Sequence, residues 1–88
     1  MKRTVEICNE RGLHARASAK FVKAASSFEC EVKVTREGAT VDARSIMGLL
    51  MLSAGVGSTI DISAEGPDAE AAVAALAELV ERKFDEER

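Results

Sequence analysis

His14 is the only histidine in the chain, and an arginine stands two residues beyond it, in Gly12-Leu13-His14-Ala15-Arg16. A neutral imidazole is a nitrogen nucleophile. Histidine side chains titrate near about pH 6.5 in water, so the neutral form is plentiful at cytosolic pH. The chemistry this pair offers is the transient holding of an anion, above all a phosphoryl group taken onto a ring nitrogen. An arginine beside it supplies charge-assisted, bidentate contacts to the phosphoryl oxygens. The pair lies where an extended segment gives way to an alanine-rich run with helical periodicity. His14 then takes the cap position and Arg16 falls in the first turn. Both run against local preference. Caps favour Ser, Thr, Asp or Asn, whose short side-chain oxygens satisfy free backbone N–H groups. First turns favour acids, because that end carries partial positive charge. The same positive end, with its outward N–H groups, is suited to phosphate, and broken local rules concentrate at functional sites.

Ser45 is the second residue with chemistry to offer. It precedes Ile46-Met47-Gly48-Leu49-Leu50-Met51-Leu52 and fits as the N-cap of a short helix. The same hydroxyl is a candidate phosphorylation site. Phosphate there would suit the helix N-terminus but set negative charge beside Ile46 and Met47, repelling an acidic partner. Apolar residues surround this helix, and one sheet cannot bury them all. Part of Ile46, Met47 and Leu50 is therefore expected at the surface, as in apolar docking patches. Metal chemistry lacks support, with one histidine and no Cys/His/carboxylate cluster at ligand spacing. No serine occupies a nucleophile-elbow context for a triad with His14. Gly55-Val56-Gly57 lacks the third glycine and the lysine of a phosphate loop. No metal and no cofactor are expected.

Periodicity predicts the elements that position these residues. Thr4–Cys8 alternates as a strand, and Asn9–Gly12 is a turn-rich connection. From Ala15 to about Ser27 a helix places Ala15, Ala19, Val22 and Ala25 on one face and Arg16, Lys20 and Lys23 on another. Cys30–Thr35 is a strand, Arg36-Glu37-Gly38 a hairpin turn and Thr40–Ala43 a third strand. Thr59–Ala64 is the fourth, with Ile60, Ile62 and Ala64 facing one way. Gly66-Pro67-Asp68 breaks the chain and caps a last helix, along which Ala69, Val73, Leu76, Leu79 or Val80, and Lys83 or Phe84 recur. Asp85–Arg88 is expected to fray. The order β-α-β-β-α-β-α, with one apolar face per strand, predicts an α+β domain: one sheet with its helices on a single face.

Composition narrows the function classes. Eighty-eight residues at 47% hydrophobic content make one domain, 1–88, with one core layer. Three phenylalanines and no Trp or Tyr offer no base-stacking surface. Residues 1–27 carry six basic and two acidic side chains, net +4, and residues 28–88 six basic and thirteen acidic, net −7. The whole is a poor nucleic-acid binder, but the basic first third, with Arg11, Arg16, Lys20 and Lys23, suits an acidic partner or a phosphate. Cys8 and Cys30, without CxxC spacing, read as thiols of a reducing cytosol. The N-terminus lacks the apolar stretch of a signal peptide, and Ile46–Leu52 is too short to cross a bilayer. The protein is expected to be cytoplasmic, with no membrane insertion.

Gly12-Leu13-His14-Ala15-Arg16 followed by Phe21-Val22 resembles the active-site segment of the HPr family, the histidine-containing phosphocarriers of the bacterial phosphotransferase system. Ser45-Ile46-Met47-Gly48-Leu49 resembles that family's second motif, around its regulatory serine. The resemblance covers essentially the whole chain. It implies an open-faced β-sandwich with a four-stranded antiparallel sheet and three helices on one side, and sheet positions that keep Cys8 and Cys30 apart. It implies that His14 takes a phosphoryl group on Nδ1 from enzyme I and passes it to an EIIA-type acceptor. The protein is then a substrate of phosphotransferases rather than an enzyme, and it works as a monomer. Arg16 would contact the phosphate, and Ile46, Met47 and Leu50, with Arg16 and Lys20, would meet partners. A serine kinase would act on Ser45. Sugar uptake and a nitrogen-related regulatory branch both use such carriers. The family usually has proline where this chain has Ala17. Proline suits a first helical turn, and losing its restriction of the unfolded chain costs roughly 0.4–1 kcal/mol; a slightly looser helix start with intact chemistry is expected. Two other classes compete. One is a binding module switched at Ser45 with His14 idle. The other is a small hydrolase of the acylphosphatase kind, for which Asn9-Glu10-Arg11-Gly12 lacks the glycine-rich loop ending in arginine.

Overall fold

Alternation of apolar and polar residues builds the strands and sorts them onto the two faces of one sheet. In the computed structural model, which describes all residues 1–88, the elements are β1 (Lys2–Glu6), α1 (Ala15–Ser26), β2 (Glu31–Arg36), β3 (Ala39–Asp42), α2 (Ile46–Met51), β4 (Thr59–Glu65) and α3 (Ala69–Glu81), followed by a short turn over Lys83–Asp85. The strands form one antiparallel sheet in the order β1-β4-β2-β3. In the register Val5 pairs with Ile60, and Val34 with Ile62. Val5, Val32, Val34, Ile60, Ile62 and Ala64 are buried with Phe21, Leu49, Leu76 and Val80 of the three helices in one core. The opposite face is polar: Thr35 and Thr40 share a hydroxyl bond of 2.8 Å, and Lys33 lies 3.9 Å from Asp42. Cys8 follows β1, Cys30 precedes β2, β4 separates those strands, and both thiols are free.

Strand β1 lies two residues earlier than the alternation suggests. Its partner decides this: β4 is long enough to pair Lys2 with Ser63 and Arg3 with Ile62 although both side chains are exposed. Ile7 keeps its core position and bonds instead to the loop before β4, donating to Ser58 O at 2.7 Å and accepting from Gly57 N–H at 2.8 Å. The β2–β3 hairpin closes on Glu37 and Gly38, both at positive φ (48° and 84°), the conformation of a tight two-residue turn.

Helix α1 is rotated from its expected face. Ala17, Ser18, Phe21 and Ala25 are buried, while Ala15 and Ala19 are exposed and Val22 is half-buried. Burial free energy scales with apolar area, so Phe21 sets the rotation and the small alanines follow. Helix α3 buries Ala72, Val73, Leu76, Ala77, Leu79 and Val80. Asp68 precedes it without making a side-chain cap bond; its carboxylate accepts from the Glu29 backbone N–H at 3.1 Å, tying α3 to the entry of β2.

The C-terminal segment is folded back rather than frayed. Lys83, Phe84 and Asp85 all take left-handed backbone angles (φ 61°, 54° and 65°), a conformation costing roughly 1–2 kcal/mol per residue. Phe84 is fully buried, and burying a phenylalanine offsets about 1.5–3 kcal/mol. Lys20 Nζ donates to Phe84 O at 2.8 Å, and Glu86 N–H donates to Lys83 O at 2.9 Å. A polar tail with one phenylalanine reads as disordered until the core is known to have a place for that ring.

Candidate functional site

The loop before α1 is held rigidly. Gly12 has φ +66°, and a Cβ there would stand 2.6 Å from Ala54 O and 2.8 Å from Gly55 Cα. Only glycine lets the two chains approach so closely. Leu13 N–H then donates to Ala54 O at 2.9 Å, and the Leu13 side chain is buried. Asn9, fully buried, donates from Nδ2 to Gly12 O at 2.8 Å. Ser18, also buried, donates its hydroxyl to Leu13 O at 3.3 Å and its N–H to His14 O at 2.8 Å. This frame delivers His14 to the cap position of α1 with extended backbone angles (φ −78°, ψ −178°).

At that position the ring caps the helix itself: Arg16 N–H donates to Nδ1 at 3.3 Å. On the other side Nε2–H donates to the Glu86 carboxylate. The two contacts assign one tautomer, with the proton on Nε2 and a lone pair on Nδ1 aimed at the head of α1. Both side chains keep limited access to solvent, 24% for His14 and 18% for Glu86. The other Glu86 oxygen accepts from Asn9 Nδ2 at 3.0 Å. Burial alone would push the Glu86 carboxyl up, but the Asn9 and His14 hydrogen bonds, with the charges of Arg11 and of the imidazolium formed in acid, hold it below the ordinary glutamate range.

Beside the ring lies a shallow depression lined entirely by polar side chains, among them Arg11, Arg16, Lys20, Arg88, Asp85 and Glu86. Arg16 is exposed and caps with its backbone, leaving its guanidinium available. Lys20 is committed to the tail, through Phe84 O and, at 3.9 Å, Asp85. Arg88 O accepts from Glu10 N–H, closing the tail onto the loop.

The second motif is built as a cap. Ser45 Oγ accepts from Gly48 N–H at 3.0 Å. Beyond it Ile46 and Met47 are exposed (41% and 69%), Leu50 is half-buried, and Leu49 and Leu52 are in the core. Met51 and Val56 extend the exposed apolar surface. Because Ala54, just past α2, bonds to Leu13, this surface and the histidine loop are neighbours. No three His, Cys, Asp or Glu side chains cluster as metal ligands, and no helix is long and apolar enough to cross a membrane.

The family model for the PTS HPr component phosphorylation site matches residues 1–82. The chain belongs to the HPr family. It is 48% identical over 86 residues to the phosphocarrier protein HPr of Cupriavidus necator, covering 98% of this chain and 97% of that protein. It is 45% identical over 86 residues to the phosphocarrier protein NPr of Shewanella violacea, covering 98% and 94%. The crystal structure of HPr-C-His from Thermoanaerobacter tengcongensis superposes with a TM-score of 0.96 at 44% identity, over 100% of this chain and 99% of that one. The open four-stranded antiparallel sheet with three helices is thus the HPr fold.

Within this HPr-family site, sequence reasoning places His14, Arg16 and Ser45 at their helix heads and brings Ile46 and Met47 to the surface. It assigns Lys20 to partners; in the structure Lys20 donates to Phe84 O and keeps a 40% exposed side chain. It misses Asn9 and Glu86. Asn9 sits in a segment whose asparagine reads as turn chemistry, and Glu86 is one of several acids near the chain end. The buried Phe84 is the one apolar signal in that segment.

Proposed function

We propose that this protein is a phosphocarrier of the phosphoenolpyruvate-dependent phosphotransferase system. His14 accepts a phosphoryl group from phosphorylated enzyme I and passes it to an EIIA-type acceptor in the cytoplasm. The observation that carries the reading is His14 Nδ1 accepting the Arg16 N–H at the head of α1. The Nδ1 lone pair, released by the Arg16 N–H, forms the N–P bond as the bond from phosphorus to the donor nitrogen breaks and the donor keeps its electron pair. No proton has to move. The phosphoryl oxygens then face the free first-turn N–H groups and the positive end of the helix, and the unpaired Arg16 guanidinium reaches them. The ring, once loaded, is the donor in the next transfer, so the protein carries the group and leaves catalysis to its partners. It acts as a monomer that meets each partner through Ile46, Met47 and Leu50.

Ser45 is the regulatory point of this reading. Its hydroxyl sits at the head of α2 against exposed Ile46 and Met47, so a phosphate added by a serine kinase places charge inside the docking surface. The carrier role is tested with enzyme I and phosphoenolpyruvate. Wild type takes up acid-labile phosphate and His14→Ala takes up none; equal labelling of the two rejects the reading.

A further inference from the structure

The last residues of the chain form a strap across the histidine. Three successive left-handed residues turn the backbone, Phe84 anchors it in the core, and Lys20 and Glu10 bind its carbonyls. The outcome is that a carboxylate reaches the far side of the imidazole: Glu86 meets Nε2–H with one oxygen and the buried Asn9 amide with the other. Asn9 spends its second N–H on Gly12 O, in the loop that carries His14. Loop, ring and tail are therefore one hydrogen-bonded unit. Strained backbone of this kind persists where the surroundings over-determine it, and it clusters at functional sites.

We propose that Glu86 is a positioning residue for phosphoryl transfer through His14. This rests on the carrier reading and extends it. Accepting from Nε2–H, Glu86 keeps the proton off Nδ1 and fixes the ring plane with the Nδ1 lone pair at the head of α1, where it accepts the Arg16 N–H. As Nδ1 forms its bond to phosphorus, the ring gains positive charge while Nε2 retains its proton, and the Glu86 carboxylate faces that charge. The same division of labour operates wherever a carboxylate orients a histidine from behind. Asn9 in turn holds the carboxylate, and the N–H of Glu86 to Lys83 O holds the backbone. The strap does not block the attacking atom, because Glu86 and the incoming group occupy opposite ring nitrogens.

The test uses full-length wild type, Glu86→Ala and Glu86→Gln. Residue 86 lies outside the sheet and the three helices, and far-UV circular dichroism verifies that all three proteins fold alike. Two readouts follow the ring. In nitrogen-15 spectra of labelled histidine, wild type has an Nε2–H proton protected from solvent exchange, Glu86→Ala loses that protection, and Glu86→Gln, whose amide oxygen still accepts but carries no charge, weakens it. In single-turnover transfer from phosphorylated enzyme I, the variants slow about tenfold to a hundredfold at saturating donor, the range seen when the hydrogen-bond partner behind a metal-bound histidine is removed. Half-saturation stays unchanged, since Glu86 is not part of the apolar surface. Unaltered exchange, or a saturating rate equal to or faster than wild type, overturns the proposal, the faster rate identifying the strap as a shield. Wild type that takes no phosphoryl group at all overturns the carrier reading itself.

Discussion

Glu86 and His14 are separated by 72 positions in sequence and joined by a hydrogen bond at Nε2. The bond closes a circuit in which the chain end fixes the residue that begins the first helix. It has a pH dependence of definite sign. The folded-state carboxyl titrates below its ordinary value of 4.5, so the stabilisation is fully present above that value and is lost as pH falls through the lower, folded-state one. The melting temperature of wild type should exceed that of Glu86→Gln near neutrality, and the gap should close as pH falls below about 4.5. A gap unchanged down to strongly acid solution would count against the bond.

Gly12→Ala strikes the frame rather than the ring. The new Cβ would meet Ala54 O at 2.6 Å in a left-handed conformation. Destabilisation of about 1–3 kcal/mol is expected by urea titration, with the Leu13 amide resonance moving upfield as its bond to Ala54 O lengthens. A neutral effect would mean that the loop is free to move.

Ser45 separates cap from charge. Ser45→Ala should lose about 1 kcal/mol of stability with its bond to Gly48 N–H. Ser45→Asp retains a capping oxygen and should keep stability near wild type, yet weaken transfer by raising the donor concentration needed. Equal transfer by wild type and Ser45→Asp would remove Ser45 from regulation.

Met47→Asp probes the docking surface. Met47 is 69% exposed, and surface substitutions usually move stability by no more than about 0.5 kcal/mol. Half-saturation for phosphorylated enzyme I should rise roughly tenfold, as for a central interface residue, with the saturating rate preserved. An unchanged half-saturation places docking elsewhere.

Much of this was legible because local signals agreed. Val32 and Val34 alternate with the polar Glu31, Lys33 and Thr35, Glu37-Gly38 has the residues of a tight turn, and Ser45 stands three residues before Gly48, whose N–H it caps. His14 and Arg16 were legible because they contradict helix-end preferences. The rotation of α1 was not, because alanines at helical spacing mark a face as well as Phe21 does until burial area is weighed. The tail was not, because its position depends on a core pocket for Phe84 and on three left-handed residues that no propensity favours. Asn9 and Glu86 become visible together only once the chain end lies on the loop.

The central claim is that Nδ1 of His14 is the atom that carries the phosphoryl group. Phosphorus-31 and nitrogen-15 spectra of the protein phosphorylated by enzyme I and phosphoenolpyruvate test it directly. A phosphorus–nitrogen coupling to Nδ1 is expected, with the Arg16 amide proton shifting downfield as it turns from the ring to the phosphoryl oxygens. Phosphate on Nε2, on Ser45, or on no residue of the wild-type protein would contradict it.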